Sequence, residues 1–316
     1  MHKQLVNELR LWFAIRPVGP LLIKSGKGAG VDPTRLDMNF VRVTHSEIGE
    51  TVYLPGSSLK GVVRSYSEKI ARTVGVKCCD PLGAQSCGKI SEGRPGLNSA
   101  QVYANLCTIC RVFGHMPMAS HLRVSDAYPR DPFDPDRKVN WKELTNATEE
   151  RDGVAIDRIS GSVAVGPFQL EVVTRGGFFG QLYLRNFQIW QIGLLAIALR
   201  DIDNGMVPIG FAKSRGLGQV RVVYQRMEIS YPGQMGAAAT RWGNVLAGVT
   251  AFNVAGAANY NFEPEAPLTL KTPGQVETGW GRVTTQYNDE AGIKAALEAS
   301  VERWAQFVAH RQENPQ

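Results

Sequence analysis

This sequence of 316 residues contains few cysteines, no long apolar run and no strong excess of one charge. Its five cysteines are too few for a disulfide scaffold in a chain of this length, and we expect them to be reduced. The longest apolar run, around residues 190–199, is too short to cross a bilayer, and the first residues lack the apolar core of a signal peptide. We therefore expect a cytoplasmic protein that has no membrane partner.

The net charge of +6 is moderate, so it allows a polyanionic partner such as nucleic acid without requiring one. Hydrophobic residues make up 43% of the chain and charged residues 20%, a balance typical of globular proteins rather than of disordered or collagen-like chains. The chain is long enough to bury a large core in one or two domains. It contains no Ser-His-Asp order, HExxH motif or Walker A motif. The sequence therefore gives no evidence for the catalytic and nucleotide-binding sites that these motifs mark.

Hydrophobic periodicity predicts the fold. Segment 9–16 alternates apolar residues with Arg10, Trp12 and Arg16, which predicts a half-buried strand with a cationic second face. The other predicted elements are a helix that ends near residue 74, strands at 122–127, 168–173, 178–184 and 219–224, and a helix at 189–203. The two strands beside the Gly-Gly turn at 176–177 are expected to form a hairpin. This order predicts an α+β fold with a ferredoxin-like, RRM-like βαββαβ core, an antiparallel sheet and both helices on one face.

Two irregular stretches interrupt a predicted domain that spans residues 1–232. A Gly- and Cys-rich insertion with little periodicity occupies 75–121. A polar stretch rich in Pro, Asp and Arg occupies 128–166 and is expected to project from the domain. Residues 233–316 form a C-terminal extension, in which the apolar spacing predicts a terminal helix near 291–310.

The cysteines cluster within the insertion. Cys107 and Cys110 have the spacing of a zinc knuckle, and upstream cysteines would complete a tetrahedral thiolate site at Cys79 and Cys87. The reserve ligands are Cys78, which is adjacent to a preferred ligand, and His115 and His121. A Zn²⁺ ion would stabilise an insertion that has few core residues. Free buried cysteines and a redox pair are the alternatives.

Two basic turns could bind phosphate. Lys60 and Arg64 lie four residues apart on one face of the first predicted helix, directly after Ser57 and Ser58. Exposed amides at the helix start would add to an anion site there, and one of the serines is expected to cap the helix. A solvated basic face is the alternative. The second turn is the Gly-rich loop at 213–218, whose glycines would let a sugar-phosphate chain approach closely, although a simple turn before a strand has the same pattern.

Two acidic residues lie in a long loop rich in Gly and Lys, Asp32 and Asp37. They could form salt bridges with basic residues of the loop, hold a divalent cation, or position a ribose hydroxyl. The composition of the loop does not decide among these roles.

Residues 53–61 (YLPGSSLKG), followed by Arg64, resemble the signature of the CRISPR-associated RAMP superfamily. More narrowly, they resemble the backbone subunits of type III effector complexes, which coat the guide RNA. Further similar stretches are 107–114 (CTICRVFG), 123–127 (RVSDA), 151–158 (RDGVAIDR) and 190–220, which ends in SRGLGQV. The resemblance spans about residues 9–225, is closest to zinc-containing III-D-like members, and does not cover the chain after residue 232.

The resemblance implies an RRM-like core with a groove for guide RNA and a thumb, at 128–166, that interrupts the duplex between guide and target RNA at regular intervals. It implies that the chain works with guide RNA, complementary target RNA, other RAMP-type subunits and copies of itself in a filament. It assigns the RNA contacts to the two basic turns, at Gly56, Ser57, Ser58, Lys60, Gly61, Arg64, Lys213, Ser214, Arg215, Gly216 and Gly218.

In cleaving members of this family, a loop aspartate is needed to cut target RNA. Asp37 matches the context of that residue and Asp32 is the reserve, so the resemblance implies an endoribonuclease that uses Mg²⁺ or Mn²⁺. The chain departs from the family pattern at Leu22, where a His is common, and at Lys24, where a Gly is common; this departure bears on cleavage more than on RNA binding. The alternatives are a non-catalytic subunit that only displays guide RNA, a guide-processing endoribonuclease that would rely on His45, and a zinc-stabilised structural protein with no RNA role.

Overall fold

A six-stranded antiparallel sheet forms the centre of the structure. The structure is a computed structural model and describes residues 4–26, 38–92, 96–116, 118–234, 239–253 and 257–314. Its strands are β1 (Glu8–Pro17), β2 (Arg42–His45), β3 (Gly49–Val52), β4 (Leu122–Val124), β5 (Glu149–Ile156), β6 (Val163–Val172), β7 (Phe178–Arg185), β8 (Val220–Pro232), β9 (Val245–Leu246), β10 (Leu268–Thr269), β11 (Gln275–Gly279) and β12 (Arg282–Tyr287). Its α-helices are α1 (Gly56–Thr73), α2 (Cys87–Glu92), α3 (Ser99–Ala104), α4 (Thr108–Phe113), α5 (Trp141–Asn146), α6 (Ile189–Asp203) and α7 (Glu290–Glu313).

The order of strands in the sheet is β11-β12-β8-β1-β7-β4, and every neighbouring pair is antiparallel. In β1 the apolar side chains at positions 9, 11, 13 and 15 are buried, whereas Arg10 and Arg16 are exposed. The predicted alternation of this strand is therefore confirmed. An irregularity in its register with β8 falls between Trp12 and Phe13. The α+β class and the antiparallel sheet also agree with the sequence.

The predicted hairpin between 168–173 and 178–184 is wrong. β6 pairs with β5 in a separate two-stranded sheet, whereas β7 lies between β1 and β4 in the central sheet. Val173, just after β6, forms a bridge with Leu21 instead. A turn sequence fixes only a local reversal of the chain, while the pairing partner depends on which apolar surface each strand covers.

Helix α6 is buried along almost its whole length, because it packs against α1, β8 and α7. In chain order the main elements are β1, α1, β4, β7, α6 and β8, so one helix follows the first of these strands and the other follows the third. The start of α6 is closed by Glu265, whose carboxylate accepts a hydrogen bond from the Ile189 amide at 2.9 Å. A residue from the C-terminal extension therefore caps a helix of the preceding domain.

The C-terminal extension packs on the same core. β12 pairs with β8 and β11 pairs with β12, which adds two strands to the sheet. The helix predicted near 291–310 corresponds to α7, and the ring of Phe307 in α7 stacks on Trp190 of α6 with 4.2 Å between centroids. One cluster of buried apolar residues includes both parts of the chain.

The insertion at 75–121 contains three short helices, α2, α3 and α4, where the sequence showed little periodicity. Local capping explains two of them: Asn98 and Gln101 form a capping box at α3, and the Cys107 sulfur accepts from the Cys110 amide at the start of α4. The polar stretch at 128–166 contains α5 and most of the β5–β6 hairpin, and β6 continues to Val172. Within the described residues, the helices are all too short or too polar to cross a membrane.

Candidate nucleic-acid interface and cysteine cluster

The start of α1 lies against the edge strand β4. A Cβ atom at Gly56 would lie 2.3 Å from the carbonyl oxygen of Val124, so only glycine lets the helix approach this strand. The Gly56 amide donates to the Asp126 carboxylate at 2.7 Å, so part of the predicted anion site already holds an acidic side chain. The predicted serine cap is wrong, because the N-cap residue is Pro55, and Ser57 and Ser58 lie exposed inside the first turn.

Lys60 faces a groove between α1 and β4. The groove has a volume of about 440 Å³, and three cations line it: Lys60, Arg123 and Arg185. Burial is the main reason that the pKa of Lys60 is lowered, and the charge of Arg64 adds to this effect. A bound phosphate would offset both effects, since a nearby anion favours the charged amine. The sequence analysis missed the two arginines; only the alternation of polar residues on β4 and β7 could have placed them on one surface.

The Arg64 side chain, one helical turn after Lys60, reaches the cysteine-rich insertion. Its guanidinium pairs with Glu68 at 3.0 Å and donates to the Gly114 carbonyl at 3.2 Å. A third contact joins its Nη2 to the Cys110 sulfur at 3.7 Å. The structure therefore places this predicted phosphate ligand between α1 and the cysteine-rich insertion.

The second predicted turn forms a short 3-10 helix at Lys213–Arg215, directly before β8. The glycine at its end, Gly218, has a φ of +90°, and a Cβ there would lie 2.0 Å from the Ile209 carbonyl oxygen. Its amide donates to the Pro20 carbonyl at 2.8 Å, so Gly218 shapes the turn. The exposed members of the predicted RNA-binding set are Ser57, Ser58, Gly61, Lys213, Ser214, Arg215 and Gly216.

A run of backbone hydrogen bonds connects the two turns. Phe211, beside the second turn, donates to Leu22 at 2.8 Å. Val41 donates to Ile23 at 2.9 Å, and Tyr53 donates to Val41 at 3.3 Å, three residues before α1. Each of these three steps crosses one interstrand spacing, so Phe211 and Tyr53 lie within about 14 Å of each other.

The predicted catalytic residues, Asp37 and Asp32, lie outside the described residues. The chain just after Asp37 is fixed along β6: the Met38 amide donates to the Gln169 carbonyl at 3.1 Å. Next to it, the Glu171 carboxylate accepts from the Phe40 amide at 2.8 Å and forms an ion pair with Arg42. Burial alone would raise the pKa of Glu171, but these hydrogen bonds and the Arg42 charge hold it below its usual range.

The β5–β6 hairpin carries exposed apolar side chains at and near its tip. Ile159 in the connecting turn is 98% exposed. The turn is shaped by Asp157, which accepts from the Ile159 amide at 3.0 Å and from the Ser160 hydroxyl at 2.7 Å, and these bonds lower the pKa of Asp157. The other exposed apolar residues of the hairpin are Val154, Ile156 and Val163.

Four cysteines converge in the insertion, and they are the four preferred ligands: Cys79, Cys87, Cys107 and Cys110, whose sulfurs all lie within 4.8 Å of one another. The sulfur of Cys79 lies 3.6 Å from that of Cys107 and 3.7 Å from that of Cys110. Hydrogen bonds from Cys107 and Cys110 lower the pKa of Cys87 to about 4, whereas the hydrogen bonds of Cys110 with Cys107 and Cys87 raise the pKa of Cys110. Four thiolates this close would repel one another, so the cluster can ionise fully only around a cation.

The adjacent cysteines have different surroundings. The sulfur of Cys78 lies outside the cluster, 3.6 Å from the Cys79 carbonyl oxygen, and burial is the main cause that raises its pKa to about 12. Both reserve histidines are also outside the set of four, and His121 stacks on Tyr103 with 5.4 Å between ring centroids. Of the two adjacent cysteines between which the sequence left the choice open, Cys79 belongs to the cluster of four and Cys78 does not.

Comparison with protein-family models gives a match to the RAMP superfamily over residues 14–221, which is more than half of the chain. The matched region contains the start of α1, the four clustered cysteines, the β5–β6 hairpin and the turn before β8. It ends before the C-terminal extension. A search of curated proteins returned no match.

Proposed function

Because the chain belongs to the RAMP superfamily, we propose that it is a guide-RNA-binding backbone subunit of a type III-like CRISPR interference complex. Family membership itself supports a CRISPR-associated, RNA-binding function. We take the chain order β1, α1, β4, β7, α6, β8 and the sheet order β8-β1-β7-β4 as a ferredoxin-like core. The proposed partners are guide RNA, complementary target RNA, other RAMP-type subunits and further copies of this chain.

The observation that carries the RNA-binding proposal is the position of the cations. Lys60, with Arg123 and Arg185, lies in the groove at the start of α1, and Lys213 and Arg215 are exposed at the turn before β8. Cations that contact phosphates fix the position of a nucleic acid but do not read its bases. This suits a subunit that accepts any guide sequence, because base pairing with the target supplies the specificity.

We propose that the β5–β6 hairpin is the thumb. Ile159 at its tip is almost fully exposed, and an apolar wedge of this kind can separate stacked bases. The base of the hairpin also adjoins the chain that follows Asp37, through the Met38 amide and Gln169. A target strand opened by the thumb would therefore pass close to the loop that carries the proposed catalytic residue.

We also propose that the cysteine cluster holds Zn²⁺. Tetrahedral Zn²⁺ with bonds to sulfur of about 2.3 Å places its sulfurs about 3.8 Å apart. The separations of 3.6 and 3.7 Å from Cys79 to Cys107 and Cys110 fit that donor set. Arg64 would offset part of the thiolate charge through its contact with Cys110. The ion would give structural stability to the insertion and has no part in the proposed cleavage.

The experiment that tests RNA binding is analysis of the nucleic acid that co-purifies with the full chain. We expect RNA of uniform length that carries a repeat-derived end, because a backbone subunit protects a defined guide. Co-purified DNA, or RNA of random length, would contradict the proposed class. Cutting of precursor RNA by the isolated protein would instead favour a guide-processing enzyme.

Target cleavage is the finer part of the proposal. The ribose 2′-OH would lose its proton and attack the adjacent phosphorus in line, which breaks the bond to the 5′-oxygen of the next nucleotide and leaves a 2′,3′-cyclic phosphate and a protonated 5′-hydroxyl. The Asp37 carboxylate would position the attacking hydroxyl or hold a divalent ion. We expect Asp37→Ala to abolish cutting of complementary RNA by the assembled complex with Mg²⁺ or Mn²⁺, while guide RNA stays bound. Asp32→Ala is the matched control and should keep activity.

Two results would change this assignment. Unchanged cutting by Asp37→Ala, together with loss of cutting in Asp32→Ala, would transfer the role to the reserve residue. Failure of the unmodified complex to cut would leave a non-catalytic subunit that displays guide RNA for another effector.

A further inference from the structure

A tryptophan occupies the tip of the β11–β12 hairpin, in the C-terminal extension beyond the family match. Gly279 pairs with Arg282, so the hairpin closes with the two-residue turn Trp280-Gly281. Trp280 has a φ of +49° and Gly281 a φ of +73°, and the Trp280 side chain is 101% exposed. The turn is fixed to the end of β8, where the Gly233 amide donates to the Gly281 carbonyl at 2.8 Å.

Tryptophan is an unfavourable residue at position 280 of this turn. A turn with positive φ at both central residues favours Asn-Gly or Asp-Gly, and a bulky side chain in the left-handed region is an outlier. Full exposure means that contacts within the chain do not compensate for the strain or for the hydration of the indole. A strained residue of this kind points to a contact with a partner, and tryptophan is among the residues that most often anchor interfaces.

The hairpin that carries Trp280 offers no free cation for nucleic acid. The only cation in the sequence of the hairpin, Arg282, pairs with Glu8 at 2.8 Å, and the hairpin also carries Glu277. A base-stacking site is normally flanked by cations that neutralise the RNA backbone. The tip therefore fits an apolar pocket of a protein better than it fits RNA.

A suitable pocket lies on the same chain. A groove of about 600 Å³ is formed by the segment before α5, and we call it the proline-lined groove. Its apolar and aromatic lining residues include Pro129, Pro132, Pro135, Val139 and Trp141, and charged side chains line the rest of it: Glu47, Arg130, Asp131, Asp134, Arg137 and Lys142. Flat proline and indole surfaces can stack on an indole ring, and a guanidinium can lie over its face.

Trp280 and the proline-lined groove are at opposite ends of the sheet. Trp280 lies two residues before Arg282, which pairs with Pro232 at the end of β8. The groove wall Trp141 packs on Phe179 and under Arg16, close to the other end of β8. The 13 residues of β8 span about 40 Å, so Trp280 cannot reach the groove of its own chain.

We propose that Trp280 of one copy inserts into the proline-lined groove of the next copy, as the anchor of a head-to-tail contact. Two different surfaces meet in such a contact, so it repeats along an open filament rather than closing as a symmetric pair. The proposal deepens the multi-copy part of the proposed function and is independent of the RNA-binding part.

Sedimentation velocity of the full-length, nuclease-treated chain over a range of concentrations tests the contact. Unmodified chain should form oligomers that grow with concentration. Trp280→Asn should weaken association by at least about 30-fold, as loss of an anchoring residue does. At a concentration at which both proteins are monomeric, the variant should also have an equal or higher thermal midpoint, because Asn-Gly favours the turn. Leu82→Asn, at another exposed apolar position (89% exposed), is the matched control and should associate normally.

A mixing experiment tests that the contact is head-to-tail. Val139→Asp, at a groove position 39% exposed, should block the groove and leave Trp280 intact. Each variant alone should be monomeric, whereas an equimolar mixture should form a dimer that does not grow, because only one of the two possible contacts is restored.

Several results would overturn the proposal. These are a monomeric unmodified chain at all concentrations, normal association of Trp280→Asn, a mixture that stays monomeric, or a lower midpoint for Trp280→Asn. RNA affinity measured on the same variants separates the two proposals: loss of self-association with retained RNA binding supports the contact. Loss of RNA affinity in Trp280→Asn with unchanged association would assign the indole to RNA and refute the contact. Failure of the unmodified chain to bind RNA would refute the proposed function alone.

Discussion

Removal of the exposed cations at the turn before β8 should change how RNA binding responds to salt. Lys213 and Arg215 are both exposed, and neither forms an ion pair with another residue that the structure describes. If each contacts one phosphate, each adds about 0.7 to the slope of log affinity against log salt concentration, the value for single-stranded nucleic acid. The double variant Lys213→Gln, Arg215→Gln should therefore reduce that slope by about 1.4.

The slope converts directly into a measurable difference. Between about 50 and 200 mM salt, the unmodified chain should lose roughly seven times more affinity than the double variant. Fluorescence anisotropy with a labelled single-stranded RNA of guide length measures both slopes. Two RNAs of unrelated sequence should show the same change, because phosphate contacts carry no base information.

A matched control removes a cation from another surface. Lys138 is 77% exposed and pairs with Asp136 at 3.8 Å, so Lys138→Gln should leave the slope unchanged. Equal slopes for the unmodified chain and the double variant would refute the assignment of this turn to the RNA backbone. A loss of affinity for only one of the two RNAs would refute the argument that the contact ignores base identity.

The remaining predictions concern the metal and the extension. Cys107→Ser should remove bound zinc, measured by elemental analysis, whereas Cys78→Ser should retain it; equal zinc in both variants would contradict the four-cysteine assignment. Burial raises the pKa of Glu265 from 4.5 to about 7 against the opposing hydrogen bond from the Ile189 amide. A raised carboxyl pKa gives stability that is complete below about pH 4.5 and is lost as the pH rises to about 7, in all about 3 kcal/mol. Urea unfolding across that range should therefore show a smaller pH dependence for Glu265→Gln than for the unmodified chain, and equal pH dependence would contradict this role.

The local pattern of residues was enough to predict several features of the structure. The alternation of apolar residues defined β1 and its cationic face, since a strand shows successive side chains to opposite sides. The spacing of Cys107 and Cys110 indicated a thiolate site, because two residues three positions apart come together within one turn of the chain. The resemblance around residues 53–61 gave the family, which the match over 14–221 confirms.

Contacts between distant segments were not visible in those patterns. The occupation of the Gly56 amide by Asp126 and the contact between Arg64 and Cys110 depend on how β4 and the insertion pack on α1. The pairing of β6 with β5 likewise depends on which apolar surfaces the two strands cover, and a turn sequence carries no such information.

The sequence by itself determined the class of fold, the faces of its strands and helices, and the residue types that could bind phosphate and metal, because periodicity and short spacing are properties of neighbouring residues. Only the tertiary structure decided that Arg123 and Arg185 join Lys60 in one groove, and that Trp280 projects at the end of the sheet opposite to the proline-lined groove. Those relations arise from strand order and register, which are set when segments far apart in the chain bury their apolar surfaces against each other.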